Sequence, residues 1–137
     1  MLGSRYRRLA LATALATTTS GCTSPFAVDC TTQAVPSFSI TVVDESSLDP
    51  IGAGSTLSWT GAATGSSSID ATNTGHNSFA LDGPFEVAGS FQLRVTHAGY
   101  ADWTRAVRIS RDECHVRTGR VTAQMVPADT ALSAARR

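Results

Sequence analysis

The sequence predicts an all-β fold, an antiparallel β-sandwich of about seven strands. Three observations carry that expectation. Apolar residues recur with a period of two in several short segments, which is the spacing of a strand with one buried face. Gly, Pro, Asp and Ser separate those segments at short intervals. No stretch of the chain between them shows an apolar repeat of helical period.

The first strand starts near Ser37, where Phe38, Ile40 and Val42 alternate with Ser39, Thr41 and Val43. Asp44 to Gly52, which contains Asp49-Pro50, reads as a turn. In the second strand Leu57 and Trp59 share a face, and the indole is expected in the core. Gly61 to Gly75 is small and polar and reads as a long loop or a weak edge strand. Asn77 to Leu81 is read as a further strand, and Pro84 to Gly89 as a turn around Phe85 and Val87. Phe91, Leu93 and Val95 give the cleanest alternation in the chain, followed by the turn His97-Ala98-Gly99-Tyr100. Trp103 to Ser110 is a strand with Val107 and Ile109 inward, and Cys114 to Val126 is the last. Within that last stretch the apolar parity changes from Cys114 and Val116 to Val121, Ala123 and Met125, so a bulge is expected at Gly119. The sandwich domain is then 37–127, with a flexible tail over 128–137.

The 137 residues suit one domain with one core, and 42% hydrophobic against 16% charged content fits a folded chain. Formal net charge is zero, yet Arg5, Arg7 and Arg8 crowd the first eight positions. Without them eight basic residues face eleven acidic ones, a net −3 that offers no footprint for nucleic acid. Every basic side chain is arginine. A lysine Schiff base, a P-loop lysine and a lysine–asparagine isopeptide crosslink are therefore excluded by composition.

Residues 1–21 have the layout of a secretory signal peptide: the basic start, the apolar run Leu9 to Ala16, then the small polar Thr17 to Gly21. The apolar run is about half the roughly 20 residues that span a bilayer. Thr19-Ser20-Gly21-Cys22 resembles the bacterial lipobox, although leucine is commoner where Thr19 stands. That resemblance implies cleavage before Cys22 and acylation of it with diacylglycerol and a further chain such as palmitate, so that 22–36 becomes a lipidated tether. Lipidation also settles the odd cysteine count, because Cys30 and Cys114 remain and an exported chain is expected to pair them. A redox pair or metal site would need a Cys-x-x-Cys partner or histidines at ligand spacing, and the sequence has neither.

From Phe38 to Pro127 the chain resembles the carboxypeptidase regulatory-like family. The resemblance rests on the opening strand Ser39-Ile40-Thr41-Val42-Val43-Asp44, the turn Pro50-Ile51-Gly52-Ala53, and the segment from Gly89 through Val95 to Gly99-Tyr100. It rests also on Arg111-Asp112-Glu113-Cys114-His115-Val116-Arg117-Thr118, similar to a motif of bacterial lipoprotein members with an upstream cysteine. The family implies a transthyretin (prealbumin)-like sandwich in the cell envelope and says little of function. An immunoglobulin domain would place tyrosine two residues before the second cysteine, where Asp112 stands.

No catalytic residues, cofactor or metal are expected. Ser66 to Ser68, Asp70 and His76 lie in a polar loop without the strained turn a serine nucleophile needs. None of His76, His97 and His115 has glutamate three residues later, as a carboxypeptidase-type zinc site would require. The chain ends Leu132-Ser133-Ala134-Ala135-Arg136-Arg137, unlike the Tyr-Arg-Gly-Ser ending of transthyretin-related purine hydrolases. The expectation is a non-catalytic, lipid-anchored envelope domain that binds or positions another envelope component, protein or glycan. Its alternative is a carbohydrate- or peptide-binding module using Tyr100, Asp102 and Trp103, with a hydrolase as a remote third. Thr23, where many inner-membrane lipoproteins carry aspartate, favours the outer membrane over the inner in a Gram-negative envelope.

Overall fold

A computed structural model describes residues 28–134. Cys22 and the signal segment lie outside the described residues. The strands are β1 (Phe38–Asp44), β2 (Thr56–Gly61), β3 (Gly65–Ser68), β4 (Leu81–Asp82), β5 (Gly89–Thr96), β6 (Trp103–Ile109) and β7 (Gly119–Met125). They form an all-β sandwich of two sheets, one ordered β4-β1-β7 and the other β3-β2-β5-β6.

Alternation builds both inner faces. Phe38, Ile40 and Val42 of β1, Leu57 and Trp59 of β2, Phe91, Leu93 and Val95 of β5, and Ala123 and Met125 of β7 form one buried cluster with Leu81, Ile109 and Val116. Burying each large side chain contributes roughly 1.5–3 kcal/mol. The aromatic centre is Phe38, edge-on to Phe91 at 5.1 Å and to Trp59 at 5.7 Å. Its ring lies directly over Gly83, where any side chain would collide with it.

Five details depart from the sequence reading. The sandwich is not wholly antiparallel, because β1 and β7 pair in parallel, from Phe38 opposite Gly119 to Asp44 opposite Met125. The path explains it: β6 ends at the end of the sandwich where β1 begins, so a chain crossing there to the other sheet must run alongside β1. Period-two patterning is blind to strand direction. The expected strand from Asn77 shrinks to Leu81–Asp82, preceded by a single 3-10 turn over Thr74–His76. The Asn77 carbonyl is instead spent on the Gly52 N–H at 2.9 Å. At Gly119 there is no bulge, since β7 simply starts there and Val116 belongs to the preceding turn, bridged to Arg111. Glycine serves close packing at that point, as a Cβ would come within 2.9 Å of the Ile109 Cδ1 atom. Ala128–Ala134 forms a short helix, α1, where a flexible tail was expected, and the Ala128 N–H donates to the Gly99 carbonyl at 3.0 Å. Lastly, ordered contacts begin before Ser37, as the lead-in described next shows.

Candidate functional site at the disulfide end

One end of the sandwich gathers the starts of β1, β5 and β7 and the ends of β2 and β6. There the Cys30–Cys114 disulfide joins the lead-in to the turn between β6 and β7, with Cα atoms 5.3 Å apart. The expected structural bridge is present.

The residue that organises this end is Glu86, in the loop between β4 and β5. Its φ of 57° lies in the left-handed region that glycine favours, so the surrounding bonds must hold it there. They are numerous. The Val35 N–H donates to Glu86 Oε1 at 2.9 Å while the Glu86 N–H donates to the Val35 carbonyl at 3.0 Å, a two-way clamp on the lead-in. The Val116 N–H reaches Oε2 at 3.2 Å, and the Arg111 guanidinium donates to the Glu86 carbonyl at 2.6 Å. His115 Nδ1 stands 2.7 Å from Oε1, and its Nε2 stands 3.0 Å from Thr31 Oγ1. A neutral ring protonated on Nδ1 satisfies both contacts, donating to the carboxylate and accepting from the threonine hydroxyl. The N–H of Val35 is the main reason the Glu86 carboxyl sits below its ordinary range; burial opposes the shift and His115 assists it.

Neighbouring bonds extend the lock. Thr118 Oγ1 donates to the Pro36 carbonyl at 2.7 Å, and the buried Ser37 hydroxyl donates to the Val87 carbonyl at 2.7 Å while accepting the Val87 N–H at 3.1 Å. Asp112 Oδ1 accepts the N–H groups of both Cys114 and His115, and these bonds lower its pKa. Those two N–H groups are therefore already paired. Thr31, His115 and Glu86 lie in line as a nucleophile, base and orienting acid would, yet the carboxylate is shared among backbone donors and Thr31 is on an exposed coil. The arrangement fastens three chain segments to one another.

Because the lowered pKa of Glu86 contributes stability above its ordinary range, that contribution fades as pH falls through the lowered value. Glu86→Ala is expected to speed amide exchange at Val35 and Val116 by about tenfold, with β5 amides unaffected. Wild-type protein should show the same local loosening only on acidification. Unchanged exchange at Val35 in the variant would show that the carboxylate does not hold the lead-in.

The other sequence-derived residues are placed elsewhere. Tyr100 and Trp103 are half-buried at the opposite end and pack against the core. The Tyr100 hydroxyl donates to Asp44 Oδ2 at 2.9 Å, which raises its pKa, and Asp102 is paired with Arg94. The polar side-chain groups of Tyr100 and Asp102 are engaged within the chain. His76 stacks on Phe79 with ring centres 4.0 Å apart, and Asp70 accepts bonds from Thr72, while Ser67 donates to the Asp82 carbonyl. Ser66 to Ser68 stand in β3, and with Asp70 and His76 they form no His–Asp–Ser chain among the described residues. His97 sits between the Ala98 and Ala53 carbonyls. Among the described residues no group of three or more His, Cys, Asp or Glu is arranged to hold a metal ion.

Comparison with protein-family models, with curated proteins and with solved structures finds no match to this chain.

Sequence reading overlooked Glu86, Thr31 and Arg111. Glu86 stands 51 residues from Val35 and 29 from His115, so no local spacing announces the cluster. The one available signal was a lone acid between Phe85 and Val87 in a turn, where an apolar flank gives a carboxylate few reasons to be free.

Proposed function

We propose that this chain is a lipid-anchored domain of the bacterial cell envelope, of the carboxypeptidase regulatory-like type, which positions or binds another envelope component without catalysing a reaction. One observation carries this reading. The segment leading from Cys22 is fastened to the sandwich at Cys30 by the disulfide and again at Thr31, Val35 and Pro36 by His115, Glu86 and Thr118. Such reinforcement is what a domain held through its N-terminal segment needs, since any load on the anchor passes through these bonds. The motifs around Gly99-Tyr100 and Asp112 to Val116 support the family, and the internal pairing of Asp112, Tyr100 and Asp102 supports a structural module.

The test is intact mass of the protein purified from its own membrane, before and after reduction and alkylation. A species starting at Cys22 with added acyl mass, gaining two alkyl groups only after reduction, is expected. An unlipidated mass would remove the anchor.

A further inference from the structure

Four large apolar side chains are exposed among the described residues: Val28, Leu48, Phe79 and Phe85. Two of them, Val28 at 56% and Phe85 at 55%, belong to the disulfide end. Val28 lines an open surface concavity of about 690 Å³ with Arg111, Cys114, His115 and Arg117. Phe85 adjoins Glu86, whose carboxylate binds the same turn, and is bridged to Pro36 of the lead-in. We infer that this end of the sandwich rests on the lipid bilayer, with Val28 and Phe85 entering the interfacial layer. The inference rests on the lipid anchor proposed above.

The occupant follows from where the described chain begins. Only eight peptide steps separate Cys22 from the disulfide at Cys30, a reach of at most about 28 Å. The eight-residue strand β5 alone is about 27 Å long, so the opposite end could meet the same bilayer only with the connection drawn almost straight. A short connection also holds the end at roughly millimolar effective concentration beside the membrane, at which two apolar side chains suffice for contact. Charge does not drive it: Arg117 faces Asp112 at 3.9 Å, Arg111 faces Glu86 at 3.6 Å, and Glu113 adds a further acid. Contact should therefore be as strong on zwitterionic lipid as on anionic lipid, and insensitive to salt.

The experiment uses the full lipidated chain in phosphatidylcholine vesicles, with a fluorophore on Ala88→Cys or on Ala98→Cys. Both positions are exposed and they flank β5 at opposite ends. Lipid carrying a headgroup quencher should quench the Ala88→Cys reporter several-fold more than the Ala98→Cys reporter, and adding Val28→Ser with Phe85→Ser should abolish the difference while the protein still floats with the vesicles. Equal quenching of both reporters on floating, lipidated protein would overturn the docking and leave the anchor standing, as it would if a protein partner covers this end. Failure to float together with an unlipidated mass would remove the anchor and the docking with it.

Discussion

Replacing Cys30 and Cys114 together by alanine is expected to lower the stability of the domain by about 4 kcal/mol, read from urea unfolding as a lower midpoint with a slope that rises as the unfolded chain expands. The bridge spans 84 residues, nearly the whole sandwich, so its main effect is on the unfolded chain, which regains the freedom of a very long loop. A domain whose total stability is of order 5–15 kcal/mol loses a large part of it. Reduced wild-type protein should match the double variant. A loss below about 1 kcal/mol would mean that the unfolded chain stays compact without the bridge, against the chain-entropy account.

Phe38→Ala is expected to cost about 3–5 kcal/mol, because the ring is wholly buried and no neighbour can fill its place. Phe91 and Trp59 meet it edge-on from the opposite sheet, and Gly83, with no side chain, cannot move in from its own side. Phe38→Leu should recover part of the loss and Gly83→Ala should reproduce much of it from the other partner. The same denaturant series measures all three, and a small effect at Gly83 would show that the ring has room to shift.

The element pattern was legible where one face of a strand is apolar and the other polar. β1, β2 and β5 stand as read, with Trp59 in the core, because alternation reports burial directly. Legibility failed where the chain's bonds are long-range. The segment Asn77 to Leu81 reads as a strand but gives its Asn77 carbonyl to Gly52, and Ala128–Ala134 becomes helical once β7 ends beside Gly99. Glu86 gave no local sign beyond its apolar neighbours Phe85 and Val87, because each of its partners is at least 25 residues away.

By itself the sequence determined the all-β class, the inward faces and the exclusion of lysine chemistry, and it pointed to the pairing of Cys30 with Cys114 once the lipobox resemblance set Cys22 aside. These follow from composition, from period two and from cysteine count, all of which are properties of short stretches or of the whole chain. Only the tertiary structure decided that β7 runs parallel to β1, and that the Glu86 carboxylate joins the lead-in to the turn after β6. It also placed Val28 and Phe85 at the end where the connection to Cys22 enters. Strand direction and convergence of distant segments depend on how the chain crosses between sheets, and a pattern of alternating apolar residues carries no record of that crossing.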